Sequence, residues 1–171
     1  MLPNRPTLDV ISHSPEQTRR IGALLGRSLD RGSLVLLGGM IGAGKTTFTQ
    51  GIAHGLQVET PVTSPTFTIV SEHSGRDRSG KPLAVYHIDL YRLEEGGDLL
   101  TVGLEEYLDD PDAVIIIEWP ERAGDQLPEE HLLVELSNVA DSKRSIAFTP
   151  RHRRYLPMID AMRREMAGAR G

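Results

Sequence analysis

The segment Gly39-Met40-Ile41-Gly42-Ala43-Gly44-Lys45-Thr46 constrains this chain more than any other stretch. It has the spacing G-x-x-x-x-G-K-[ST], and each residue type in it has a physical reason. Glycines let a backbone approach an anion closely and adopt conformations barred to other residues. Successive N–H groups then point inward at the anion, and the positive end of the following helix adds to them. Gly39, Gly42, Ala43, Gly44 and the first helical positions through Thr47 are therefore expected to cradle phosphate. Lys45 is expected to reach the β- and γ-phosphates, and the Thr46 hydroxyl to ligate magnesium. A glycine-rich turn matching by chance is the alternative. Context argues against it, because an apolar run at 33–37 precedes the loop and a helical pattern from about Lys45 to His54 follows. The expectation is a protein that binds ATP with magnesium and hydrolyses it.

The rest of the chain reads as strands alternating with helices. Residues 8–11 form a short strand, and Ser14-Pro15-Glu16-Gln17 opens a helix with a capping residue, a proline at the first helical position and a capping-box glutamine. Ile21, Leu24, Leu25 and Leu29 recur at helical spacing, and Arg31-Gly32 ends that helix. Phe48, Ile52 and Ala53 turn the second helix toward a core, and Gly55 is its stop. Strands are expected at 67–72 and 83–88, joined by a polar, exposed hairpin loop at 73–81. Residues 99–108 carry helical periodicity, and Val114, Ile115, Ile116 and Ile117 are four β-branched residues in a row, the mark of a central strand. A second hairpin pairs 132–136 with 145–148, and Tyr155, Ile159, Met162 and Met166 stripe a last helix. The fold class is α/β: a three-layer P-loop NTPase-like sandwich, mainly parallel, with antiparallel edge hairpins. Residues 1–150 are expected to form the P-loop ATPase domain, with 151–171 as a basic C-terminal helix or tail packed on it or extending from it.

A phosphate loop needs an acid at the end of a neighbouring strand to hold magnesium or its water shell. Asp89 and Glu118 both end predicted strands, and ligands bind at the carboxyl ends of strands in open parallel sheets. Each has the alternative of being a surface carboxylate at a strand end. Glu118 is favoured as the magnesium ligand because its strand is the central one. Ser64-Pro65-Thr66 has two open readings: a threonine that senses the γ-phosphate, or a proline-fixed turn with local hydroxyl bonds. Trp119, the lone tryptophan, sits beside Glu118 and is read as core packing, with a partner surface as the other option.

Composition limits the function classes. Hydrophobic residues at 39% and charged residues at 25% are ordinary for a globular protein. The absence of cysteine rules out disulfides and cysteine-ligated zinc. Neither a signal-peptide core near the N-terminus nor the roughly 20 apolar residues of a spanning helix occurs, so no membrane association and a cytoplasmic location are expected. Net charge is −5, unevenly spread: residues 151–171 hold six arginines against two acids, and the remainder 13 basic against 22 acidic residues. An acidic body argues against DNA and against unassisted nucleic-acid binding. The basic tail reads as an amphipathic helix with a solvated arginine face, or as a contact for RNA or an acidic partner.

Five segments in order resemble the TsaE family, the small P-loop ATPases of bacterial tRNA threonylcarbamoyladenosine synthesis. They are Gly42-Ala43-Gly44-Lys45-Thr46-Thr47, Val62-Thr63-Ser64-Pro65-Thr66-Phe67-Thr68, Tyr86-His87-Ile88-Asp89-Leu90-Tyr91-Arg92-Leu93, Gly103-Leu104-Glu105-Glu106-Tyr107-Leu108 and Ile117-Glu118-Trp119-Pro120-Glu121-Arg122. The resemblance spans residue 14 to about 150. It implies an ATPase whose turnover resets a complex of two partners, TsaB and TsaD, which modify an adenosine next to the tRNA anticodon; tRNA is then met only through that complex. By the same likeness Thr46 and Glu118 ligate magnesium, Asp89 and Thr66 belong to the nucleotide-responsive part of the site alongside Lys45, and Thr18 and Arg144 lie near the nucleotide base. One position departs from the family pattern: Met40 stands where an aspartate is usual.

Two other readings use the same loop. A small-molecule kinase needs an acceptor pocket and an arginine-bearing lid, and a nucleotide-gated interaction module needs no turnover. A GTPase is disfavoured, because no Asn-Lys-x-Asp segment occurs and Asp77-Arg78-Ser79-Gly80 matches D-x-x-G only within a polar loop.

Overall fold

The structure, a computed structural model, describes residue 2 and residues 5–63, 69–93 and 103–168. The run of β-branched residues becomes β5 (Ala113–Glu118), buried along its whole length. It is buried because β2 (Leu34–Gly38) and β4 (Pro82–Asp89) flank it, both parallel to it, and helical segments cover both faces. In full the sheet has seven strands in the order β1-β7-β6-β2-β5-β4-β3. The remaining strands are β1 (Leu8–Ser12), β3 (Val70–Arg76), β6 (Leu132–Asn138) and β7 (Arg144–Pro150). The four inner strands β6, β2, β5 and β4 are mutually parallel, and β1, β7 and β3 add antiparallel pairings at the two sides.

Three helices cover one face: α1 (Pro15–Ser28), α2 (Lys45–Gly55) and α4 (Leu156–Gly168), separated in sequence by the short α3 (Glu105–Leu108). Leu25, Leu29, Phe48, Ile52, Ile159 and Met162 meet Val35, Leu37, Val114 and Ile116 of the sheet there. The opposite face is thinner. Leu90, Leu93, Leu104 and Ala123, the last in a 3-10 turn at Pro120–Ala123, pack on Leu34, Leu36, Ile115 and Ile117. No described helix is long and apolar enough to cross a membrane.

Helix α1 begins as its sequence dictates. Ser14 Oγ accepts from Gln17 N at 3.1 Å, and Gln17 Oε1 accepts in return from His13 N at 2.6 Å, one residue before the usual capping-box donor. The helix ends at Ser28, and Arg31-Gly32 forms the turn beyond it. The α1–α2 contact is backbone on backbone. A Cβ at Gly22 would meet Phe48 O at 2.5 Å, at Gly26 Ile52 O at 2.2 Å, at Gly51 Arg19 O at 2.2 Å, and at Gly55 Ala23 O at 2.4 Å. Gly55, expected only as a helix stop, is thus also a packing residue.

Three elements differ from expectation. Residues 73–76, expected in an exposed loop, extend β3, because Arg76 N donates to Leu56 O at 2.7 Å and Thr60 Oγ1 lies 2.8 Å from His73 Nδ1. The segment just after α2 and the pairing of 73–76 with 82–85 of β4 supply partners that the polar composition of this strand conceals. Of the helix expected at 99–108, only Glu105–Leu108 is helical among the described residues, and 99–102 lie outside them. In α4, Met158 is buried and Met166 only half-buried. Just before α4, the Tyr155 hydroxyl accepts from Leu34 N at 2.9 Å, tying the C-terminal segment to the start of β2.

Candidate functional site

Strand register brings the site together. Leu37 pairs with Glu118 across β2 and β5, and Glu118 pairs with Asp89 across β5 and β4. The two acids therefore stand side by side at the carboxyl ends of adjacent parallel strands, on the face that carries α1 and α2. The chain leaving β2 becomes the glycine loop, with Gly39, Gly42 and Gly44 at φ of 142°, 80° and 99°. A side chain is strained in such conformations, so glycine at these three positions is a requirement of the turn. Gly39 has a second constraint, since a Cβ there would lie 2.4 Å from Leu136 O. It backs the loop against β6 and does not line the cavity.

The loop, the start of α1, the ends of β4 and β5 and the β6–β7 turn enclose a cavity of about 750 Å3. That is within the usual range for a small-molecule site. Gly42, Ala43, Gly44, Lys45, Thr46, Thr47, Asp89, Glu118, Thr18 and Arg144 all line it. Residues separated by up to 126 positions in sequence, Thr18 to Arg144, thus converge on one volume. Thr66 falls outside the described residues.

Lys45 Nζ donates to Gly39 O and, at 3.0 Å, to Met40 O, and lies 4.0 Å from the centre of the Trp119 ring. Burial pushes its pKa down, opposed by the negative charges of Glu118, Glu121 and Asp89. Burial pushes the Asp89 carboxyl up and the neighbouring Glu118 adds to this, against the Tyr91 N–H donated to it at 2.9 Å and the charges of His87 and Lys45. Glu118 is 2% exposed; its Oε1 lies 3.4 Å from Thr46 Oγ1 and its Oε2 2.5 Å from His87 Nε2.

A magnesium ion suits this donor set. Thr46 and Glu118 present hard oxygens side by side, with Asp89 adjacent, and no group of three or more His, Cys, Asp or Glu among the described residues forms a complete cage. Magnesium favours such partial sites, keeping waters and taking its other ligands from phosphate. The loop and Lys45 line one part of the cavity wall, and Asp89 and Glu118 bring carboxylate oxygens to the same volume, so the site could hold an anion together with a divalent cation.

Two lining residues, Asp141 and Ser142, carried no sequence signal, and others were read only as a helix cap or as part of a family segment. Asp141 and Ser142 reach the cavity from the β6–β7 turn, and Ser14, Pro15, Tyr91 and Arg92 also line it. Arg144 holds that turn in place, donating to Ala140 O and Asp141 O at 3.3 Å and to Gly42 O at 3.5 Å. Trp119 is half-buried and only partly a core residue: it packs on the thinner face of the sheet while its ring covers Lys45 and meets the Tyr91 ring at a tilt, 5.0 Å between centres. Its φ of 58° aims it there. Met40, at the departure from the family pattern, is 77% exposed at the cavity mouth beside Ile41. The D-x-x-G match is a tight turn whose Asp77 Oδ1 accepts from Ser79 N and Lys81 N, both at 2.9 Å, away from the cavity.

Comparison with known proteins places the chain among relatives of one family. Residues 12–146 match the family described as Threonylcarbamoyl adenosine biosynthesis protein TsaE. The tRNA threonylcarbamoyladenosine biosynthesis protein TsaE of Treponema pallidum is 40% identical over 136 residues, covering 80% of this chain and 96% of that protein. The protein of the same name from Bacillus subtilis is 37% identical over 151 residues, 88% of this chain and 90% of its own. The Mycobacterium tuberculosis one is 42% identical over 136 residues, 77% and 80% respectively. The crystal structure of Bacillus subtilis YdiB superposes with a TM-score of 0.75 at 34% identity, covering 92% of this chain and 95% of that one. With the family model matched over residues 12–146 and relatives about 40% identical over most of the chain, the chain belongs to the TsaE family of threonylcarbamoyl adenosine biosynthesis proteins.

Proposed function

We propose that this chain binds ATP with magnesium in the cavity at the glycine loop and hydrolyses it slowly by itself, its turnover resetting a TsaB–TsaD complex during tRNA modification. The observation that carries the nucleotide reading is the convergence of the loop, Lys45, Thr46, Asp89 and Glu118 on one volume of about 750 Å3. The loop amides and Lys45 hold the β- and γ-phosphates. Thr46 and Glu118 hold magnesium, which when bound neutralises charge on the phosphate oxygens. Asp89 orients water toward the γ-phosphorus. Water attacks there, the bond from that phosphorus to the bridging oxygen breaks, and ADP and phosphate are released. Thr18 and Arg144 also line the cavity and are assigned to the base on the family likeness. Slow turnover is expected from the arginines: Arg92 borders the cavity but is exposed, and no hydrogen bond or ion pair of its side chain is seen among the described residues. A positioned arginine is worth roughly 10³–10⁵ in rate. The partnership with TsaB and TsaD rests on the resemblance of the five motif segments.

The test is phosphate release from ATP with and without purified TsaB–TsaD. Slow release alone and strong stimulation by the complex are expected. Absence of stimulation, together with normal anticodon-loop modification when the gene is deleted, overturns the partner role. Fast multiple turnover by the isolated protein overturns the slow-ATPase role. Loss of ATP only with an acceptor, without free phosphate, replaces it with a kinase.

A further inference from the structure

Glu118 has a buried neighbour that the phosphate-site chemistry leaves unused. His87 is 1% exposed, and its Nε2 lies 2.5 Å from Glu118 Oε2. The two carboxylate oxygens of Glu118 are thereby divided, Oε1 toward Thr46 and Oε2 inward to the imidazole. A carboxylate only accepts, so Nε2 carries the hydrogen of this bond. The placement follows from register. His87 pairs with Ile116, two residues before the Asp89–Glu118 pair, and strand residues two apart share a face. His87 therefore sits directly behind Glu118 on the side away from the cavity mouth, in a strand that is hydrogen-bonded on both sides. Its other ring nitrogen, Nδ1, is buried with no partner among the described residues, so the bond to Glu118 is its only one there. A long, buried carboxylate without such a donor would be poorly solvated and free to turn its oxygens away from Thr46.

We propose that His87 is a positioning residue that holds the Glu118 carboxylate in the orientation required for magnesium, and so sets the magnesium dependence of nucleotide binding; this rests on the nucleotide reading of the site given above. His87 does not line the cavity. Its ring makes a hydrogen bond to Glu118 alone among the described residues, and outer hydrogen-bond partners orient metal ligands generally.

Two substitutions separate orientation from packing. In His87→Gln the amide nitrogen reaches the place of Nε2 and can still donate to Glu118. In His87→Asn it stops one carbon short. ATP affinity is measured by calorimetry across a magnesium titration and again in EDTA, with melting temperature as the check on folding. For His87→Asn the half-saturating magnesium concentration is expected to rise about 10- to 100-fold, the usual consequence of losing an outer-shell partner. Affinity in EDTA should stay near wild type, and His87→Gln should recover most of the magnesium response. Equal magnesium response in wild type and His87→Asn overturns the proposal, as does an equal loss in Asn and Gln variants. A measurement on the wild type needs no variant: the imidazole nitrogen resonances of His87 should shift when magnesium is added to the ATP-bound protein. Their failure to move overturns the positioning role. If ATP binding by the wild type is itself independent of magnesium, the reading of the site falls, and the positioning role with it.

Discussion

Replacing Gly51 by alanine sets two physical effects against each other, and the structure decides the sign. In a solvent-exposed helix the change would stabilise by about 1 kcal/mol, because alanine is the better helix former. Here the new Cβ would lie 2.2 Å from Arg19 O and 2.9 Å from the Arg19 carbonyl carbon and Cα. All three are backbone atoms, so no rotamer change relieves the contact. A comfortable carbon–oxygen approach is about 3.3 Å, so α1 must retreat from α2 by about 1 Å. Overpacking of this kind costs about 1–3 kcal/mol and occasionally more. With the propensity gain subtracted and the contact at the severe end, Gly51→Ala should destabilise by about 2 kcal/mol. For a domain of this size that lowers the melting temperature by roughly 4–8 °C. Gly168→Ala is the control: its Cβ would meet nothing within 4 Å, so stability should hold or rise slightly. Urea unfolding followed by circular dichroism measures both. The shift also moves Thr18 on α1 away from Lys45 and Thr46 on α2, so ATP affinity should fall in Gly51→Ala alone. A Gly51→Ala protein as stable as wild type would refute the reasoning, showing that the two helices do not meet backbone to backbone.

Lys45→Ala should weaken ATP binding roughly 100-fold or more, since it removes the one cation of the loop and its charge-assisted bonds; wild-type affinity by calorimetry would place the site elsewhere. Glu118→Ala should lose magnesium-dependent binding and hydrolysis together, whereas Asp89→Ala should lose hydrolysis and partner response more than binding. A magnesium titration beside partner-stimulated assays checks this, and the opposite pattern reverses the two roles. The Trp119 ring lies 4.0 Å from Lys45 Nζ, so phosphate drawing Lys45 away should change the emission of the only tryptophan in the chain. Unchanged fluorescence on saturation with magnesium and ATP would show that Lys45 stays on the ring.

The features legible in the sequence are those settled within a few residues along the chain. The loop from Gly39 to Thr46 needs glycine at positive φ whatever surrounds it, and Gly39, Gly42 and Gly44 are all found there. The Ser14 cap is a bond across three residues, and the β-branched run of β5 is a strand from its own side-chain stiffness. The family could be recognised for the same reason, because its motifs are short contiguous segments. Tertiary structure alone decided what meets what. That Glu118 faces Thr46, with Asp89 one strand further over, depends on the sheet order and a register among β2, β5 and β4 that no local pattern encodes. His87 looked like one more strand residue until that register put it behind Glu118. Gly55 read only as a helix stop, and Gly22, Gly26 and Gly51 drew no reading, until two backbones were brought into contact through them. Asp141 and Ser142 became cavity residues only because β6 pairs with β2 and carries its turn over the loop. Local hydrogen bonds and torsional preferences act over a few residues and can be read from them. Register and close approach are set by burying side chains from distant parts of the chain against each other, and they exist only once the chain has folded.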